Sequence, residues 1–158
     1  MTLLRASPSL LKLLTPTPVD SDVRRAALLA TPATERTLSS IITRIRDPDI
    51  SLRQRVFQHS LPQIPHPRVL TIVQRERILR TGIGDREFTV KDAAQALALK
   101  WLDALDGDLV KFLETFDLVG GDVAELALTA VFEAKPALLD SISFEGLQVS
   151  SQLPVNFD

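Results

Sequence analysis

Acidic and basic residues at a fixed spacing are the part of this sequence that most clearly indicates a chemical role. Asp47 stands six residues before Arg53, and Asp85 stands six residues before Lys91. Each acid lies in a predicted turn, so it can cap the helix that follows. Each base lies in the first turn of a helix, from which it can reach the acid of an adjacent unit. The spacing therefore predicts an inter-unit ladder of charge pairs made by Asp47, Arg53, Asp85 and Lys91.

Other polar groups in the chain have plainer interpretations. Asp103, Asp106 and Asp108 surround Gly107 in the manner of a calcium loop, but the glycine falls one position early for that motif, so a helix-to-helix turn is favoured. The chain has no cysteine, which excludes disulfides, thiolate nucleophiles and sulfur-bound zinc. No catalytic nucleophile, metal-ligand set or phosphate loop is recognisable. We therefore predict a binding protein without a cofactor or a small-molecule substrate, and not an enzyme.

The elements that would position the charges are helices. Apolar residues from Val90 to Leu105 recur at steps of three, four and one, which is typical of an amphipathic helix. Shorter stripes of the same kind occur near Ile41, Ile78 and Val123. No segment alternates between apolar and polar residues as a half-buried strand does. The sequence therefore predicts an all-α fold that does not span a membrane.

Four predicted helix starts share one pattern, which indicates an internal repeat. Each has a turn with an acid or a glycine, and then an apolar anchor at Val23, Leu52, Val90 or Val123, at spacings of 29, 38 and 33 residues. A helix pair of this length cannot bury its apolar face alone, so neighbouring units stack and share one core. We expect a repeat array over residues 1–145 with an irregular tail over residues 146–158. The predicted helix pairs are roughly 8–30, 36–61, 70–105 and 108–134.

The turn acid followed six residues later by a base resembles the HEAT family of helical repeats. The 38-residue spacing is close to the period of that family, about 40 to 47 residues. The tetratricopeptide and ankyrin signatures are missing, and the chain has no tyrosine. The expected architecture is a HEAT-repeat α-solenoid of about four helix-turn-helix units, curved into a right-handed superhelix.

Three segments resemble a narrower family within the HEAT class. They read VRRAALLATPATERTLSSIITRIRDPDISLRQRVF, LTIVQRERILRTGIGDREFTVKDAA and LETFDLVGGDVAELALTAVFE. In order and spacing they are similar to the HEAT-repeat subunit of condensin, condensin complex subunit 3 or CAP-G. The resemblance runs from Asp20 to about Glu145 and does not include GLQVSSQLPVNFD after Phe144. Because the family subunit is hundreds of residues longer, the chain is expected to be a fragment or a truncated gene product.

The resemblance implies a non-enzymatic chromosome protein. In this family the subunit is a horseshoe-shaped solenoid that grips a segment of the kleisin subunit. The two together hold duplex DNA in a basic groove, while the ATPase belongs to other subunits. A nuclear, chromosomal location in mitosis follows, and a cytoplasmic location in interphase is compatible with it. The alternative is a HEAT adaptor of another class, such as a transport receptor or phosphatase scaffold, that binds only proteins.

The charge distribution is consistent with a phosphate surface. Residues 41–91 hold ten basic and five acidic side chains, whereas residues 92–158 hold three basic and twelve acidic ones. Neutralising phosphates releases counterions and gives affinity without sequence preference. The plainer interpretation is that Arg24, Arg53 and Lys91 only serve the ladder. In the same interpretation Arg75, Arg77 and Arg80 lie on a solvated helix face. The candidates for DNA contact are Arg24, Arg25, Arg53, Arg55, Arg75, Arg77, Arg86 and Lys91.

Two further expectations concern the surface. A solenoid needs polar end caps, and apolar residues at Ser9–Leu14 and around Phe132, Leu138, Leu139, Ile142 and Phe144 predict a marginally stable or self-associating chain. Four hydroxyl residues precede prolines, as proline-directed kinases require, although turn chemistry explains them equally well. They are Ser7, Thr15, Thr17 and Thr31.

Overall fold

The computed structural model describes Lys12 and residues 20–140, where every regular element is helical. The helices are α1 (Ser21–Ala30), α2 (Glu35–Thr43), α3 (Ile50–Arg55), α4 (Ile72–Ile83), α5 (Phe88–Asp103), α6 (Leu109–Leu113), α7 (Val123–Ala134) and α8 (Ala137–Asp140). A 3-10 turn, Arg44–Arg46, follows α2, and another, Pro67–Val69, precedes α4. The all-α prediction is confirmed for the described residues. None of their helices combines the length and the apolar character needed to cross a membrane.

Some of the sequence predictions lie outside the described residues. They are the helix at Ser9–Leu14 apart from Lys12, the tail over residues 146–158, the apolar Ile142 and Phe144, and the pre-proline residues Ser7, Thr15 and Thr17. Thr31 is described, and it is buried at the end of α1. Its hydroxyl donates to the carbonyl oxygen of Ala27 at 2.7 Å, so it is not presented to solvent.

The apolar anchors predicted at the helix starts are buried in three units and exposed in one. Leu52, Val90 and Val123 are each 0 % exposed. Val23 is 41 % exposed, so the prediction was wrong for the first unit. Helix α1 instead buries the face that carries Leu28, which lies about 140° round the helix from Val23.

The helix that begins at Ile50 changes its pitch twice before it ends. It is α-helical to Arg55, π-helical over Val56–Ser60 and 3-10 helical over Leu61–Gln63. Pro62 has no N–H, and in an α-helix its ring would clash with the carbonyl group four residues earlier. The π-helical and 3-10 turns accommodate this proline, so the chain stays helical where an α-helix could not continue.

Helices α4, α5 and α7 form the centre of the core, and α5 also packs against the π-helical turn. Trp101 of α5 and Phe57 of the π-helical turn are among the largest fully enclosed side chains. Gly82 of α4 lies where these elements meet. A Cβ atom at Gly82 would lie 2.5 Å from Cζ of Phe57 and 2.6 Å from Cβ of Ala94. The close approach of α4 to its neighbours therefore requires glycine at this position.

The Asp106–Gly107 turn joins α5 to α6. Asp106 and Gly107 have φ angles of 62° and 72°, in the left-handed region that ends many helices. The N–H of Gly107 donates to the carbonyl oxygen of Leu102 at 3.0 Å, which closes α5. Asp108 then caps α6, because its carboxylate accepts from the N–H of Val110 at 3.0 Å.

Within the described residues no group of His, Asp or Glu side chains could hold a metal ion.

Replacing Gly82 by alanine should destabilise the chain through overpacking. The added methyl group must displace Phe57 or Ala94, so we expect the free energy of unfolding to fall by about 1 to 3 kcal/mol. Urea unfolding followed by circular dichroism measures the change. Ser39→Ala on the exposed side of α2 is the control, and equal stability of the two variants would contradict the packing described for Gly82.

Candidate functional site

The Asp47 carboxylate joins the first two units. Its side chain is fully buried. Arg24 of α1 donates from Nη2 to Oδ1 at 2.8 Å and from Nε to Oδ2 at 3.1 Å. Arg44 donates to Oδ2 at 2.8 Å, and the N–H of Asp49 donates to Oδ1 at 3.0 Å. Two guanidinium groups and a backbone N–H therefore replace the water that this charge gives up on burial.

The same arrangement recurs at Asp85, between the second and third units. Arg53 of α3 donates from Nε to Oδ2 at 2.8 Å and from Nη2 to Oδ1 at 3.0 Å. The N–H of Glu87 donates to Oδ1 at 2.9 Å, so each turn acid accepts from the residue two positions later. Arg53 also donates from Nη1 to the carbonyl oxygen of Asp47 at 3.0 Å. One side chain thus contacts the turn of its own unit and that of the next.

Lys91, the third base of the predicted ladder, is half-buried and forms no ion pair within the described part of the chain. The residue five positions before the buried anchor is an acid in the second and third units, Asp47 and Asp85. In the fourth unit that position is Leu118. The repeat therefore offers Lys91 no carboxylate at the equivalent place.

Different contacts link the third and fourth units. Arg80 of α4 forms an ion pair with Asp122 between two exposed side chains. The Glu76 carboxylate accepts a hydrogen bond from the N–H of Asp117 at 2.9 Å. Both contacts are made by side chains of α4. The first and second units are instead joined by Arg24 of α1, and the second and third by Arg53 of α3. The charge pairs between units are thus buried near the start of the described chain and exposed further on.

The eight DNA-binding candidates differ in what their side chains already bind. Three are half-buried and hold ion pairs with turn or helix acids: Arg24, Arg25 and Arg53. Three are exposed and form no ion pair within the described residues: Arg55, Arg77 and Arg86. Lys91 is half-buried, and Arg75 is buried.

The prediction that Arg75 contacts phosphate is corrected by its burial. The residue is 6 % exposed, and its Nε donates to the carbonyl oxygen of Thr115 at 2.7 Å. Its Nη1 donates to the carbonyl oxygens of Pro67, at 3.1 Å, and of Leu70. Burial lowers the pKa of Arg75 from its ordinary value, and the nearby positive charge of Arg68 lowers it further.

The sequence contained a signal for this burial. Ile78 and Leu79, both fully buried, follow Arg75 at steps of three and four. These steps place the three side chains on one face of α4. A guanidinium group on an apolar helix face has to find acceptors inside the protein, and the carbonyl groups of Thr115, Pro67 and Leu70 supply them.

A cleft of about 430 Å³ opens between the turns of the second and third units. The paired side chains of Asp47, Arg53 and Asp85 line it. Arg46 and Arg86 also line the cleft and are exposed, with no ion pair within the described residues. Arg46 was not among the sequence candidates. Arg46 directly precedes the turn acid Asp47, and Arg86 directly follows the turn acid Asp85. This adjacency to a turn acid is the sequence signal that would have selected Arg46.

The pKa values of the Asp47 and Asp85 carboxyls are lowered although burial opposes this at both groups. Burial alone would raise the pKa of Asp47, but the hydrogen bonds from Arg24 and the Asp49 N–H outweigh it, so the pKa lies below its ordinary value. The same balance, with burial opposed by Arg53 and the Glu87 N–H, lowers the pKa of Asp85. Each lowered pKa means that the ionised carboxylate stabilises the folded chain.

Stacked helix pairs whose turn acids bind an arginine of the preceding unit define a helical-repeat protein of the HEAT type. Comparison with known proteins agrees with this class. Condensin complex subunit 3 of Schizosaccharomyces pombe is 39 % identical over 126 residues, which cover 78 % of this chain. The proteins of the same name from Saccharomyces cerevisiae and Homo sapiens are 34 % and 32 % identical over 127 and 117 residues, or 78 % and 73 % of this chain.

A solved structure is similar as well. The crystal structure of the Schizosaccharomyces pombe condensin Cnd3-Cnd2 subcomplex contains a chain that matches 85 % of this one with a TM-score of 0.80 and 37 % identity. No protein-family model matches the chain. The resemblance to condensin complex subunit 3 is confirmed: this chain is homologous to it over most of its residues. The chain spans 11 to 14 % of the length of these three relatives and 19 % of the solved chain.

Removing the Asp47 carboxylate should cost more stability than removing that of Asp85. Asp47→Asn leaves two guanidinium groups in a buried site, so we expect a loss of about 3 to 5 kcal/mol. Asp85→Asn leaves one, at a partly solvated position. Urea unfolding at pH 7 ranks the variants, with exposed Asp103→Asn as the control. A loss for Asp47→Asn no greater than that of the control would contradict the structural role of the pair.

The pH dependence of stability should follow the two lowered pKa values. A carboxyl whose pKa is lower when folded contributes its full stabilisation above its unfolded pKa, about 3.9. That contribution is lost as the pH falls through the folded value. We therefore expect wild-type stability to drop below about pH 4, and Asp47→Asn to show a shallower drop. Urea unfolding between pH 2.5 and 7 measures both slopes, and parallel curves would show that Asp47 does not contribute.

Proposed function

We propose that this chain is part of a non-catalytic subunit of a condensin complex and acts in chromosome condensation in the nucleus. The observation that carries the proposal is the match to the Cnd3 and Cnd2 subcomplex, at a TM-score of 0.80 and 37 % identity. The identity of 32 to 39 % to condensin complex subunit 3 from yeasts, frog and human supports the same conclusion. A repeat subunit needs helix pairs that are held firmly to one another, and the pairs at Asp47 and Asp85 support this between the first three units.

The proposed protein partner is the kleisin subunit of the same complex. The solved relative was crystallised as a subcomplex of Cnd3 with Cnd2. A chain of that structure matches 85 % of the present chain. A chain that stacks helix pairs presents a long surface of repeated helices and turns, which suits an extended partner segment.

The second proposed partner is duplex DNA, bound through phosphate contacts near the cleft between the second and third units. Arg46 and Arg86 are exposed cations on this cleft, and Arg53 lines it while bound to Asp85. Arg55 and Arg77 are exposed and add positive charge on neighbouring helices. Free guanidinium groups of this kind bind phosphate oxygens without reading base sequence. Arg24, Arg25 and Arg53 are needed by their acids, so we assign them a supporting role.

Charge reversal at the cleft should weaken DNA binding without unfolding the chain. For the double variant Arg46→Glu and Arg86→Glu, we expect the affinity for a 30-base-pair duplex to fall at least tenfold at low salt, with a shallower salt dependence. Fluorescence anisotropy across a salt series measures both, and Arg36→Glu on α2, which reverses one exposed charge away from the cleft, is the control for each single variant, Arg46→Glu and Arg86→Glu.

Reversal of a ladder arginine provides the contrasting case. Arg53→Glu places a second acid beside Asp85, so its melting temperature should fall, whereas that of the cleft variant should stay near wild type. Unchanged DNA affinity in a folded cleft variant would overturn the DNA proposal. Failure of the kleisin subunit to co-purify with this chain when both are co-expressed would overturn the kleisin proposal independently.

A further inference from the structure

The start of α4 carries an exposed apolar surface that no other part of the described chain covers. Val69 is 58 % exposed, Ile72 is 44 % exposed and Val73 is 74 % exposed. The three lie within five consecutive residues: Val69 ends the Pro67–Val69 turn, and Ile72 and Val73 begin α4. We refer to these three side chains as the α4 apolar surface. Exposed branched side chains grouped in this way are typical of an interaction site.

The surroundings of this surface are positively charged. Arg68 is exposed next to Val69 and forms no ion pair within the described residues. Beneath it lies the buried guanidinium group of Arg75, whose hydrogen bonds go to three backbone carbonyl oxygens and to no carboxylate. Nη1 of Arg75 donates to the carbonyl oxygen of Pro67, the residue before Arg68, so the two basic residues lie in the same region of the chain.

The helix start adds to the positive potential. Thr71 caps α4 in a reciprocal pair with Gln74, a neutral residue where glutamate is common. The first turn of α4 contains no acid to offset the helix dipole. The nearest acid on the helix is Glu76, which accepts from the N–H of Asp117 and offsets the charge of Arg75 less than Arg68 adds to it. The positive end of the helix, Arg68 and Arg75 thus act in the same direction.

We propose that the α4 apolar surface binds a short segment of a partner protein in which acidic side chains stand beside branched apolar ones. Its apolar residues would cover Val69, Ile72 and Val73, and its carboxylates would pair with Arg68 and the positive end of α4. Charge complementarity selects such a segment over a basic or neutral one, because a basic segment would face uncompensated cations. The apolar centre selects a protein segment over duplex DNA, whose phosphate backbone offers valine and isoleucine nothing to cover.

The proposal can be tested with a random 16-residue peptide display library and the full 158-residue chain. Peptides are selected on the wild type after depletion on Val73→Asp, so that only binders that need the α4 apolar surface survive. The expected enrichment is in sequences that combine Asp or Glu with Leu, Ile or Val. No Val73-dependent enrichment, or enrichment of basic or purely polar sequences, overturns the proposal.

A synthetic copy of a selected peptide then gives the affinity by fluorescence anisotropy. We expect Val73→Asp and Arg68→Glu each to weaken binding at least tenfold, and raised salt to weaken it further. Phe88→Asp is the control, since Phe88 is 77 % exposed and follows the C-terminal end of α4, opposite the end that carries the α4 apolar surface. Unfolding is excluded if the melting temperatures of the three variants match that of the wild type. Equal loss for the control, or displacement of the peptide by a 30-base-pair duplex, counts against a protein-binding surface.

Discussion

Burial of the Asp47 carboxylate is the constraint on which the arrangement of the first two units depends. A charge with no exposed surface is stable only if donors surround it, because an unpaired buried ion costs several kcal/mol. The donors come from three places in the chain: Arg24 on α1, Arg44 after α2, and the N–H of Asp49 before α3. A shift of any one of these elements would leave the carboxylate short of a partner. The pair therefore sets the relative position of the elements as well as adding stability.

The chain uses a different balance of forces in its two halves. Arg53 and Asp85 repeat the buried pair between the second and third units. Between the third and fourth units the equivalent acid is replaced by Leu118, and the remaining ion pair, Arg80 with Asp122, is exposed and contributes little. There the stack relies on the apolar packing of α7 against α4 and α5. Buried charge gives directional contacts, whereas apolar packing gives most of the free energy.

The helices and the pairing of Arg53 with Asp85 were accessible from the sequence because both depend on local periodicity. A stripe such as Val90 to Leu105 predicts a helix regardless of its neighbours. The failures depend on three-dimensional context. Val23 resembles the other anchors but has no buried face to join, and Arg75 resembles a surface base although carbonyl groups from Thr115 and Pro67 bury it. The exposure of Val23 cannot be deduced from spacing, since it depends on which element packs above the residue. The spacing of Arg75 to Ile78 and Leu79 places it on the apolar face of α4, but the carbonyl groups that cover it come from elements distant in sequence.

Burial and ion pairing also reduce the number of basic side chains in residues 41–91 that are available to a ligand. A count of ten bases against five acids in residues 41–91 treats every cation as available. Arg53 is neutralised by Asp85, Arg44 shares the single charge of Asp47 with Arg24, and Arg75 is enclosed. An ion pair acts on a distant phosphate as a dipole, whose field falls off faster than that of a free charge. Attraction at a distance and contact at the surface therefore come from the cations without an acid, which in the described residues of this region are Arg46, Arg55, Arg68, Arg77, Arg86 and Lys91.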